Sequence, residues 1–187
     1  DVDPVTGLLA TEHLESVIQK RSFDSSAANL VTPVSFAGAL APLGESSEIA
    51  QRYGFSLVED AAHSPGAWNE NSGTREQSGA CSHTQAAILS FHPVKHICCG
   101  EGGAVLTNDE ELADRIVHLR SHGITRPNEP DGARPWFYEQ TELGWNYRLT
   151  DIQSALGISQ SARLDQFLVR RRVLATRYQD YFSTSPF

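Results

Sequence analysis

Apolar positions along the chain switch repeatedly between a helical spacing and short continuous runs. Leu14, Val17 and Ile18 fall on one helix face, with Thr11 ahead of them as a candidate cap. The run Leu30 to Phe36 predicts a strand that ends at Ala37-Gly38. A helix follows over about Glu45 to Tyr53, and Gly54 is placed to stop it. Phe55 to Asp60 predicts the next strand, apolar until its acidic end. After a polar loop come strands over Gln85–Phe91 and Gly102–Thr107. Asn108, with Glu111 three residues on, predicts a capping box for a helix that buries Leu112, Ile116 and Leu119 and closes at Gly123. Residues 124–147 are rich in Pro, Gly and aromatics and read as a long functional loop. Thr150 and Gln153 predict the cap of a last helical region, whose apolar stripe includes Leu164, Phe167, Leu168, Val173, Leu174 and Tyr178.

Strands separated by helices of about ten residues indicate an α/β fold with a mostly parallel sheet and flanking helices. The length of 187 residues is enough for a substantial core. Acidic residues outnumber basic ones 23 to 15, a formal charge of −8, and this argues against nucleic acid as a partner. The densest basic run, Arg170-Arg171-Arg172, is read as a solvated helix face. No apolar run approaches the roughly 20 residues that span a bilayer, so no membrane association is expected. Cys81, Cys98 and Cys99 have no framework spacing and suggest free thiols in a reducing cytoplasm. The chain opens on Asp1 and lacks methionine, which suggests an internal section of a longer protein.

Lysine is scarce. Only Lys20 and Lys95 occur among the 15 basic residues. Lys95 follows a predicted strand, in Ser90-Phe91-His92-Pro93-Val94-Lys95, and precedes the turn Gly100-Glu101-Gly102-Gly103. A partly desolvated lysine offers neutral amine for Schiff-base chemistry, which arginine cannot do; a surface loop lysine is the plain alternative. Asp60 ends a strand, where open α/β sheets place ligands, and can pair with a pyridinium nitrogen; a cap or loop acid is its alternative. Ser90, at the end of a neighbouring strand, can donate to a phosphate. His83, His92, His96 and the cysteines could suit zinc, but they show no Cys-x-x-Cys pair, and no metal is expected.

Taken together these segments become specific. Val58-Glu59-Asp60-Ala61-Ala62-His63, Leu89 to Lys95, Gly100 to Asn108 and Leu143 to Asp151 resemble the DegT/DnrJ family of pyridoxal-phosphate (PLP) nucleotide-sugar aminotransferases. The likeness extends through Arg120 to Ile124, Arg134 to Tyr138 and Ser154 to Leu164. It looks closest to the subgroup that aminates a UDP-linked 4-keto-6-deoxy sugar on the way to pseudaminic acid.

The resemblance implies that Lys95 binds PLP covalently and shuttles a proton, and that Asp60 holds the pyridine nitrogen. It also implies that His63 lies beside the ring and that Ser90 binds the phosphate. Asn146 would reach the phosphate of a neighbouring subunit, so a homodimer with shared sites is expected. Substrates would be a nucleotide-linked keto sugar and an amino donor, glutamate by analogy. Residues 1–149 would be part of the PLP-binding large domain of fold type I, and residues 150–187 a helical region leading toward a small C-terminal domain. Cys98-Cys99 departs from the family's usual pair of threonines, and Gln85 from a common Asp. The upstream Gly-Thr phosphate loop, the ring-stacking residue and most of the small domain are not in this chain. A non-catalytic fragment therefore stays an alternative. So does a sugar dehydratase of the same fold, although that would carry His where Lys95 stands.

Overall fold

The computed structural model describes residues 1–24, 26–71, 73–126 and 136–184. Its centre is a four-stranded sheet in the order β1 (Leu30–Val31), β2 (Ser56–Asp60), β5 (Ala86–Ser90) and β6 (Gly103–Leu106). The β1–β2 and β2–β5 pairs are parallel; β6 runs antiparallel to β5, with Ser90 opposite Gly103. The sheet is thus mostly parallel, as expected, with one reversed edge strand.

Helix α1 (Thr11–Lys20) packs on α2 (Leu43–Tyr53), and α2 on β2. Arg52 ties the two helices together through Glu15 at 2.5 Å. Gly54 ends α2 at φ 72°, a left-handed conformation that costs glycine little. The core is formed by Ile18, Leu40, Ala41, Leu43, Ile49, Ala50, Leu57, Ala61, Ala86, Ala87, Ile97 and Cys99.

Several local expectations need correction. Thr11 is the first helical residue and no cap; its hydroxyl instead donates to Glu45 at 2.9 Å, and Val17 is exposed. The strand predicted to run to Ala37-Gly38 stops at Val31. Pro33 has no N–H to continue a ladder, and only Val34 bridges to Asp60 before a 3-10 turn at Phe36–Gly38. The polar loop after β2 holds a hairpin, β3 (Trp68–Asn71) with β4 (Thr74–Gln77). Its polar strands lack an apolar alternation, so periodicity could not reveal it; Arg75 stacks over Trp68 with 4.6 Å to the ring centroid.

Asp109, and not Asn108, caps α3 (Glu110–Arg120), accepting from Leu112 N at 3.1 Å. Asn108 serves elsewhere, donating to Ala80 O at 3.0 Å. The helix ends at Arg120; Gly123, three residues later, donates back to His118 O at 3.0 Å. Leu112, Ile116 and Leu119 are only half-buried.

Within 124–147 a short pair, β7 (Ile124–Thr125) with β8 (Glu139–Gln140), replaces part of the expected loop, while Arg134 and Pro135 lie outside the described residues. The expected capping box at Thr150 and Gln153 is present. It opens α4 (Asp151–Ser161), and a second helix, α5 (Leu164–Ser183), follows. Among the described residues no helix is long and apolar enough to cross a membrane.

Candidate active site

The parallel pairing of β2 with β5 brings Asp60 and Ser90 to the same carboxyl edge of the sheet. Asp60 sits opposite Ile88, and Ala61 N donates to Ile88 O at 2.9 Å. The Asp60 carboxylate accepts from Ala62 N at 3.0 Å, which points the acid away from the ladder and into the turn. Because β6 is antiparallel, it begins at this edge too. The whole segment from Phe91 to Gly102 is therefore a turn lying across the ends of β5 and β6. Phe91 N donates to Gly102 O at 2.8 Å and Cys99 N to Phe91 O at 3.1 Å, closing the turn at its base.

Lys95 sits in this turn, half-buried, its N–H bonded to His92 O at 2.9 Å. Gly102, at φ 143°, is one residue the turn requires. A Cβ there would meet Leu149 Cδ1 at 2.7 Å in a backbone conformation that L side chains rarely adopt. Gln153 Nε2 donates to Glu101 O at 3.1 Å, so α4 also braces the turn.

His63 follows Asp60 closely, its ring 5.5 Å from that of Phe36. His96, next to Lys95, has a ring Nδ1 shielded from solvent with no hydrogen-bond partner. Burial pushes the His96 pKa down, and the charges of Arg171, His63 and Lys95 push it further. Those shared fields bring His63, Lys95, His96 and Arg171 into one electrostatic neighbourhood. Arg171 was read as part of a solvated face. It is exposed, yet α5 folds back far enough for its charge to reach the Lys95 turn. Leu168 and Leu164 of α5 make that approach by packing over Gly66.

Asn146 is the residue the structure does not gather with the others. It is exposed, bridges Ser121 in an isolated antiparallel pair, and no hydrogen bond links it to Lys95, Asp60, His63 or Ser90 among the described residues. The thiols turn toward carbonyls: Cys99 donates to Glu101 O at 3.2 Å and Cys81 to Leu106 O at 3.3 Å. Gln85 accepts from Leu57 N at 2.6 Å through its side chain, extending the β2–β5 pairing by one bond. Among the described residues no group of three His, Cys, Asp or Glu could hold a metal ion.

Sequence reasoning missed two features. One is the Lys95–His96–Arg171 neighbourhood, which depends on the path of α5. The other is Glu59, a fully buried acid beside Asp60. Alternation along β2 would have flagged it, since it shares a face with buried Leu57.

This α/β fold is shared with solved aminotransferases. Over 97% of this chain it superposes with a TM-score of 0.81 on PseC of Helicobacter pylori, an aminotransferase of pseudaminic acid biosynthesis, at 26% identity and 44% of that chain. Spr1654 of Streptococcus pneumoniae, solved in its PLP form, shares the fold with a TM-score of 0.80 over 99% of this chain and 47% of its own, at 24% identity.

The chain belongs to the DegT/DnrJ/EryC1/StrS aminotransferase family, whose model matches residues 1–186. A curated relative, UDP-4-amino-4,6-dideoxy-N-acetyl-beta-L-altrosamine transaminase of Campylobacter jejuni, is 38% identical over 181 residues, 97% of this chain and 44% of its own length. The chain thus spans less than half the length of the curated relatives it matches.

Proposed function

We propose that the protein to which this chain belongs is a PLP-dependent aminotransferase that moves an amino group, from glutamate, onto a keto group of a nucleotide-linked deoxysugar. The observation that carries this reading is the complementarity at the carboxyl edge. Asp60 ends β2 and the Lys95 turn follows β5 at the same carboxyl edge of the sheet, and neither residue forms an ion pair among the described residues. An amine without an acid and an acid without a cation fit a group that offers an aldehyde at one end and a basic ring nitrogen at the other. The serine hydroxyl at the end of β5 suits its phosphate. When bound, PLP supplies an electron sink that lets a proton move to and from the carbon bearing the amino group.

In this reading Lys95 would hold the cofactor covalently and carry the proton, while Asp60 would keep the ring nitrogen protonated. His63 would lie beside the ring and Ser90 would donate to the phosphate. Asn146, set apart from the other four, serves the site of a second copy in a homodimer. Residues 1–149 are then part of the PLP-binding domain and 150–187 lead toward a smaller one. The free thiols fit a reducing cytoplasm.

Borohydride reduction of the full-length protein with PLP, followed by peptide mapping, should place the adduct on Lys95. An adduct on Lys20, or none, would overturn the assignment. Amination assays across keto-sugar nucleotides differing in base and sugar would then identify the acceptor.

A further inference from the structure

Alternation along β2 turns Glu59 and Asp60 to opposite faces. Asp60 is half-buried at the edge of the turn, whereas Glu59 is 0% exposed. Burying a carboxylate without compensation is costly, and among the described residues no Lys, Arg or His pairs with Glu59. Hydrogen-bond donors take that place. Ser35 Oγ donates to its Oε1 at 2.7 Å, Ser78 Oγ to the same oxygen at 2.8 Å, and Gly79 N to Oε2 at 2.9 Å. Each partner can offer a hydrogen, which suits an acceptor-only carboxylate. Ser64 Oγ joins the network through Ser78 Oγ at 2.7 Å, and Ala41 N donates to Ser35 Oγ at 3.1 Å.

These partners are the segments that surround Asp60. Ser35 N donates to the main-chain Asp60 O at 2.9 Å while its hydroxyl holds the Glu59 carboxylate, so one residue ties the Asp60 backbone to the buried acid. Ser64 closes the turn from Ala61, donating to Ala61 O at 3.1 Å; that turn contains His63 and the Ala62 N–H that orients the Asp60 carboxylate. A buried network with every member satisfied is rigid, and its low-dielectric setting extends the reach of its charge.

We infer that Glu59 is a positioning residue for Asp60: its buried, serine-clamped carboxylate fixes the strand end and turn that aim Asp60 and places a second negative charge behind it. Both effects favour a protonated ring nitrogen in front of Asp60. This rests on the PLP reading above, and its test separates the two.

Full-length protein is loaded with PLP labelled with 15N at the ring, and the ring nitrogen resonance is recorded for wild type, Glu59→Gln and Ser35→Ala. The glutamine keeps an acceptor for the serines but loses the charge and sets its amide against Gly79 N. Its ring resonance should move toward that of a neutral pyridine, and Ser35→Ala should move it the same way by less. Ser35→Thr, which keeps the hydroxyl, should restore the wild-type position. A resonance unchanged in both variants, whatever happens to Tm, makes Glu59 a folding residue only and overturns the inference. If Glu59→Gln does not fold, the Ser35 pair decides on the same criterion. A wild type that takes up no label on Lys95 overturns the PLP reading, and this inference with it.

Discussion

The two halves of this molecule are built from similar amounts of apolar sequence and use it differently. Among the described residues every buried hydrophobic one lies between Ala10 and Cys99; α3, α4 and α5 bury none completely. In the first half α2 and the parallel strands cover one another, and even a carboxylate is enclosed with its donors. In the second half Leu143, Trp145, Tyr147, Ile152 and Ile158 stay between 61% and 89% exposed. An open groove of about 1090 Å³ lies between β5–β6, α3 and the 145–154 segment, lined by Phe91, Ile116, Trp145 and Leu149 among others. Trp145 and Tyr147 belong to both sets, so part of this exposed apolar surface lines the groove. The first half thus encloses its apolar residues in a core, and the second leaves them at the surface.

If that division holds, the largest effect comes from separating the halves genetically. On the shared-site dimer proposed above, full-length Lys95→Ala and Asn146→Asp should each be nearly inactive as homodimers, the second because it sets a carboxylate against phosphate. Co-refolding the two should restore activity approaching one working site per heterodimer. A mixture that stays inactive while heterodimers demonstrably form would mean that Asn146 does not act across subunits.

Next in size is Asp60→Ala. The acid is half-exposed here, so the low end of the cost for breaking a buried ion pair applies, roughly 3 kcal/mol. Felt in the transition state, this is about two decades in kcat at ~1.4 kcal/mol per decade, with the Lys95 adduct still formed. Near-normal turnover would show that another residue holds the ring nitrogen.

Smaller effects fall on stability and compare the halves directly. Leu57, 2% exposed on β2, should cost about 2–5 kcal/mol as Leu57→Ala in denaturant unfolding of the full-length protein. Thr150→Ala removes a capping box at the start of α4 and should cost about 1 kcal/mol. If the cap change proved the costlier of the two, the cored half would not be the stability centre of the pair.

Much of this was legible beforehand, and the pattern of misses is instructive. The lysine, the acid at the strand end, Gly54 and the Thr150 box are local facts, set by residue type and immediate spacing. The errors came where a local signal had a competitor. Thr11 had a capping hydroxyl but found Glu45 on a neighbouring helix. Asn108 yielded the cap to Asp109 because Ala80 O lay within its reach. The β3–β4 hairpin carries no apolar alternation, so it gave no periodic signal at all.

By itself, then, the sequence determined the family, the α/β alternation and the identity of the chemical groups, because each rests on residue types at short separations. Only the tertiary structure decided that β6 runs backwards and that Asp60, Ser90 and the Lys95 turn share one edge. The same holds for the passage of Arg171 near His96 and for the serines that enclose Glu59. These are contacts between segments distant along the chain, and strand direction, burial and the course of a long helix select them after local preferences have been met.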